Sequence, residues 1–309
     1  MIFGVLAVYA ALLAYGLPRP LHGASWTSRA PRLAVVMWLA AMISVVSVAV
    51  LVATLLFVPL HAIGDTLVLL VQWCGWPGHS LTISMRWTIP RVAGVVVSAA
   101  AVLRLLHVAV AVAGAGRRSR VRHRHDVRLL GRFHPALRIY ILDHAGRSAF
   151  CLPGRSGGVV VTEGALRALP PAELDAVIAH ERAHLAGRHH LILTATAVLA
   201  RAFPAVPLFG TGHEELRRLV ELTADDSAAR RSAPHVVAEA VLRLAAPPAP
   251  VLGMANTAVR QRVLRLLTAD PPLPRAAVAA RGLIVVLLLF LPLVVTAVPA
   301  LSDLGYHCS

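Results

Sequence analysis

Pro170–His190 reads PPAELDAVIAHERAHLAGRHH. Proline opens the first turn, Glu173 stands near the start, and Leu174, Val177 and Ile178 recur at helical spacing, so Pro171–His189 is expected to be one helix. Within it lies an HExxH, His180-Glu181-Arg182-Ala183-His184. Residues four apart share one face of a helix, so both imidazoles can ligate one metal ion while Glu181 stands beside a water on that ion. His189 and His190 read as polar residues at the helix C-terminus, favoured there by the helix dipole rather than as ligands.

A hydrolytic zinc site takes three protein ligands and keeps one position for water. Thirty-seven residues after His184 the chain reads ELTADDSAA, Glu221–Ala229. Glu221 and Asp225 are again four apart on a helix expected over residues 213–231, with Ala224 and Ala228 along the same stripe. Small side chains there allow close approach to the HExxH helix, which makes Glu221 the third-ligand candidate. Asp225 is placed to accept a hydrogen bond from a ligating histidine. Asp226 and Glu214 read as surface charge. Between the two motifs, Leu191–Val206 is apolar and broken by Arg201 and Pro204; it either dips into the membrane or forms a buried helix. A further helix is expected over Val259–Leu267. Upstream, Leu137–Leu142 and Gly158–Thr162 are rich in β-branched residues and read as strands. Val159, Val160 and Val161 are expected to form a sheet edge onto which an extended substrate adds.

The composition around this block is that of a membrane protein. Of 309 residues, 57% are hydrophobic and 15% charged, against about 25% charged in a soluble domain; the mean hydropathy is +0.70. Disorder is thereby excluded. All 30 basic residues are arginine, the bias of a high-GC bacterial genome, and 24 of them fall within residues 117–281. Apolar stretches near 2–17, 33–58, 92–113 and 282–301 are read as four transmembrane helices. The chain then divides into a membrane domain (1–116), a polar domain (117–281) and a fourth span with a short outer tail (282–309). Asp65–Trp76 is too short to cross and is expected at the interface. The arginine clusters at 19–32, at 117–132 and before the last span fall on one side when both termini are outside, which makes the polar block cytoplasmic. The fold class is thus mainly α: four transmembrane helices with a cytoplasmic α+β domain between spans three and four. The run at 117–132 has no aromatics for base stacking, so it is read as anchoring at anionic lipid and no direct nucleic acid binding is expected. Arg104, within the third span, should face the bundle.

The HERAH motif, the proline-interrupted apolar segment, ELTADDSAA, GVVVTEGALRALPPAELDAVIAH before the site and RQRVLRLL (Arg260–Leu267) after it together resemble the BlaR/MecR-type integral-membrane metallopeptidases. The likeness spans roughly residues 137–267. It implies one zinc ion per chain on His180, His184 and Glu221, with Glu181 as catalytic base in peptide hydrolysis. It also implies a protein substrate, such as a cytoplasmic DNA-binding repressor. The quality-control proteases of the HtpX type share the HExxH and ExxAD elements and are the rival reading; a catalytically silent receptor or scaffold is the third. The chain ends eight residues after its fourth span, so the penicillin-binding sensor domain of the BlaR/MecR group is not expected. His213, His235 and Arg230 are candidates for a donor to the oxyanion. Cys151 is expected to be reduced, and Cys74 and Cys308, both on the outer side, are candidates for a disulfide.

Overall fold

The computed structural model describes residues 2–57, 88–154, 157–245, 254–268 and 271–307. Asp65–Trp76, Cys74 and Cys308 lie outside them. Four described segments are long and apolar enough to cross a membrane: Ile2–His22, Pro31–Thr54, Val92–His123 and Arg275–Ala297. The first comprises α1 (Ile2–Ala11), a π-helical turn (Leu12–Gly16) and α2 (Pro18–His22), so helix persists past the expected end at residue 17. A short α3 (Trp26–Arg29) leads into α4 (Pro31–Phe57).

The third span belongs to α5 (Thr88–Leu130), a helix of 43 residues. At 1.5 Å per residue it is about 65 Å long, roughly twice the hydrocarbon thickness of a bilayer. The arginine run is thus the continuation of this span, with no linker between them.

The chain then turns at once into a four-stranded sheet: β1 (Gly131–His134), β2 (Ile139–Leu142), β3 (Ala149–Leu152) and β4 (Gly158–Thr162), in the order β1-β2-β4-β3. β1 and β2 form a hairpin, with Arg138 at a positive φ of 51° before β2. β2 and β4 are parallel, Ile139 opposite Val159, and β3 adds antiparallel to the far side of β4. The expected edge at Val159–Val161 is therefore corrected. β4 is an interior strand paired on both sides, and its three valines are at most 2% exposed. Three consecutive apolar residues, rather than an alternation, are what a strand buried on both faces carries.

Thr162 ends β4 and caps α6 (Glu163–Ala168), its side chain accepting a hydrogen bond from the Ala165 amide. Pro171 then opens α7 (Pro171–Ala186). This helix stops three residues before the expected His189. Gly187 closes it, Arg188 adopts a left-handed φ of 48°, and His189 begins α8 (His189–Ala202). Next come α9 (Pro207–Ala229), starting six residues earlier than expected, α10 (Pro234–Ala245), α11 (Met254–Leu267) and α12 (Arg275–His307).

The apolar segment 191–206 resolves into α8 and the turn into α9, a hairpin docked into the span bundle. Leu208 and Phe209 share one core with Trp38 and Met42 of α4 and Leu288 of α12. A Cβ on Gly212 would come within 2.3 Å of the Met42 methyl and 2.8 Å of the Trp38 ring, so only glycine permits this helix contact. The α8 end of the hairpin is closed by Arg104 of α5, whose Nε donates to the Ala202 carbonyl. A cation thus meets the negative end of a helix, and the intramembrane arginine is internally paired as expected.

Polar ties fix the linker between the first two spans to the polar unit. Glu215 is 1% exposed and accepts from Arg218, with His22 Nδ1 3.2 Å away. Arg218 also donates to Thr27 and Ser28. Arg265 of α11 reaches the Ser28 carbonyl at 2.7 Å and Asp226 at 2.6 Å.

Candidate metal centre

α7 and α9 pack against one another through small residues: Ala176 and Ala179 meet Ala228, which is fully buried. That approach brings together His180, His184 and Glu221, whose ligand atoms lie within 4.8 Å of one another. The two imidazole Nε2 atoms are 3.1 Å apart, and each is 3.5 Å from a carboxylate oxygen of Glu221. An ion bonded tetrahedrally at about 2.1 Å requires ligand–ligand edges of roughly 3.4 Å. The donor set and its spacing therefore fit such an ion.

Each histidine has a close polar neighbour at its other ring nitrogen. His180 Nδ1 lies 3.1 Å from Asp225 Oδ1, and Asp225 is fully buried. His184 Nδ1 lies 2.8 Å from His189 Nδ1. Both contacts leave Nε2 for the metal, the arrangement that fixes ring orientation in metal sites. His189, expected to be an uninvolved helix-terminal residue, is thus in contact with a ligand candidate. It arrives there because the chain reverses at Gly187 and Arg188; a Cβ on Gly187 would sit 2.4 Å from the His189 ring.

Arg262 of α11 completes the cluster. Its Nε and Nη2 donate to the two oxygens of Asp225 at 2.8 and 2.6 Å, and its Nη1 is 3.2 Å from Glu221. Sequence reasoning passed over this residue. Its signal was only RQRVLRLL as a stretch, with nothing to say which of three arginines turns inward.

The charges bias the protonation states. Burial alone would raise Asp225, but hydrogen bonds from Arg262 and His180 hold it down at about 2. Burial alone would lower His180, yet the Asp225 and Glu221 carboxylates lift it to about 9. Burial lowers His184 to about 4, and lowers His189 as well. Burial, and to a lesser degree the Glu221 charge, raises Glu181 to about 7, near the value of an effective base at neutral pH. The Cys151 thiol of β3, hydrogen-bonded to Glu181, is pushed up to about 12 by burial and by that carboxylate. It is a neutral neighbour of the base, a contact that sequence reasoning did not anticipate.

His180, Glu181 and Glu221 line a cleft of about 300 Å³ together with Arg262, between Arg147–Ala149 at the head of β3 and α10. The sheet edge open beside the cleft is β3. Of the oxyanion candidates, His213 bonds Thr196 in the α8–α9 hairpin, Arg230 bonds Ser227, and His235 does not line the cleft. Arg262 and Arg147 are the arginines that do.

A family model described as Peptidase family M48 matches residues 117–218, which include the HExxH and stop three residues short of Glu221. The chain is 44% identical over 71 residues to a protein named protease HtpX homolog from Acaryochloris marina, covering 22% of this chain and 24% of that one. It is 39% identical over 89 residues to a protein of the same name from Acidiphilium cryptum, covering 27% and 31%. A third, from Nostoc punctiforme, is 42% identical over 71 residues, covering 22% and 24%. The chain spans about a quarter to a third of the length of these curated relatives. No solved structure matches.

Proposed function

We propose that this protein is a membrane-bound zinc endopeptidase that cuts other proteins close to the membrane surface, with the polar unit on the cytoplasmic side. The observation that carries the reading is the His180–His184–Glu221 triangle with Glu181 beside it in an open cleft. In this reading His180, His184 and Glu221 hold one zinc ion, which supplies Lewis acidity toward the peptide carbonyl and toward water. Glu181 is the base: its pKa of about 7 lets it take a proton from the attacking water and return it to the leaving amine. Arg262 orders the third ligand and Asp225, and brings a fixed positive charge to the cleft wall. An extended substrate segment lies along β3, whose outer edge pairs with no described strand, in place of the interior valines.

The relatives are named as HtpX homologues, and on that likeness quality control of membrane proteins is one assignment. Cleavage of a cytoplasmic DNA-binding repressor is the second, resting on the motif likeness to the sensor-transducers. The deciding experiment compares new protein N-termini in cells expressing wild type or Glu181→Gln at equal membrane levels. Many wild-type-specific termini across membrane proteins support quality control. A few termini in one DNA-binding protein support the regulatory role. Identical profiles, with zinc bound equally by both, point to a silent receptor and overturn the proteolytic reading.

A further inference from the structure

A second and larger cavity, about 650 Å³, lies on a different face of α7, between that helix, α9 and the first turns of the span helix α4. Its rim carries Arg32, Arg182, Arg230 and Arg231, and no carboxylate among the described residues lines it. Arg32 Nη2 and Arg230 Nη2 converge on one hydroxyl, Ser227 Oγ, at 3.4 and 2.9 Å. Arg182 donates to the Leu137 carbonyl. Among the described residues, none of the four forms an ion pair with a carboxylate. Four arginines packed elsewhere do: Arg218 with Glu215, Arg243 with Glu173, Arg262 with Asp225 and Arg265 with Asp226. Like charges gathered on one oxygen repel unless an anion joins them, and guanidinium forks match phosphate oxygens.

The rest of the wall identifies the source of the anion. Val35, Val36 and Ile192 are apolar, and Arg32, Val35 and Val36 are the opening residues of a segment apolar enough to cross the membrane. The cavity therefore has a cationic rim at the end of a span and an apolar wall running into the bilayer. A free phosphate ion would use the rim and leave that wall wet. We propose that this cavity binds the phosphate headgroup of an anionic phospholipid, its glycerol end and first methylenes lying along Val35, Val36 and Ile192. The cavity shares Gly187 and His189 with the support of His184, but the proposal rests neither on a bound metal nor on the proteolytic reading.

The test uses the full chain, purified in mild detergent and delipidated. Retention of dioleoyl-phosphatidylglycerol and dioleoyl-phosphatidylcholine is compared by native mass spectrometry. Wild type is expected to keep one phosphatidylglycerol in preference to phosphatidylcholine. The Arg32→Gln/Arg230→Gln double variant should bind it at least about tenfold more weakly. Arg167→Gln, on the exposed face of α6 outside the cavity, should bind it as wild type does. Ser227→Glu sets a carboxylate between Arg32 and Arg230, and should abolish retention while raising the unfolding temperature, which guards against a variant that merely misfolds. Equal retention of the two lipids, an unchanged double variant, or displacement of the lipid by millimolar inorganic phosphate would overturn the proposal.

Discussion

Arg262 grips both oxygens of Asp225 at 2.6 and 2.8 Å, and through that carboxylate it governs the orientation of His180. Asp225 is fully buried, so removing its partner strands a charge. Arg262→Met is expected to destabilise the fold by about 3–5 kcal/mol and to weaken zinc binding about 10- to 100-fold. Arg262→Lys should recover part of the stability but not the two-pronged hold. Thermal unfolding and chelator competition check both.

The same carboxylate sets an acid limit. Asp225 titrates at about 2 in the folded protein, against about 3.9 unfolded. A depressed carboxylate contributes stability that is complete above its unfolded pKa and is lost as pH falls through the folded one. Unfolding followed downward from pH 5 should show this loss setting in near pH 4 in wild type. Asp225→Asn should be less stable at neutral pH and flatter across that window.

In the metal-free protein His180 holds a proton up to about pH 9, because its carboxylate neighbours outweigh burial. Metal has to displace that proton, so zinc affinity should climb by roughly tenfold per pH unit from 7 toward 9 and then level off. Competition with a chelator of known pH behaviour measures this. An affinity independent of pH would contradict the assignment of His180 as a ligand.

His189 stands behind His184 as Asp225 stands behind His180. His189→Phe should lower zinc affinity about tenfold or more, with His189→Asn restoring much of it by hydrogen bonding. Gly187→Ala should reproduce the loss without touching His189, since its methyl occupies the space of the ring. Zinc stoichiometry after mild chelation reads this directly.

Gly212 lies where α9 meets Trp38 and Met42. Gly212→Val forces two packed helices apart and should cost about 1–3 kcal/mol. The loss should appear as a lower unfolding temperature in detergent, and Met42→Ala should relieve part of it.

The parts of this fold legible in the sequence were those written in local periodicity. HExxH and ELTADDSAA each put their polar residues on one helical face, and the structure brings those faces together. The spans followed from apolar length alone. What escaped was whatever depends on the chain meeting itself. β1 (GRFH) and β3 (AFCL) hold no β-branched residue, the signal that marks β2 and β4. The valines of β4 were mistaken for an edge, although their unbroken apolar run is the mark of an interior strand. Nothing in LAGRHH signals that Arg188 turns left-handed, so the sequence reads His189 as a helix end. Arg262 is indistinguishable by pattern from Arg260 and Arg265; only the fold selects it.

The seating of the α8–α9 hairpin among the spans has one more consequence. Gly212 is wedged at Trp38 and Met42, and Glu221 follows nine residues later on the same unbroken helix, about 14 Å further along. The ligand cluster therefore rides at a set elevation above a point inside the bilayer, and no hinge in α9 lets it rise or sink. Under the proposed peptidase reading, such a mounting would measure before it cuts: a membrane-anchored substrate would reach it only when the scissile bond lies a fitting number of residues beyond its own span. Lengthening or shortening that juxtamembrane stretch should then shift the cut through the sequence while leaving its distance from the membrane the same.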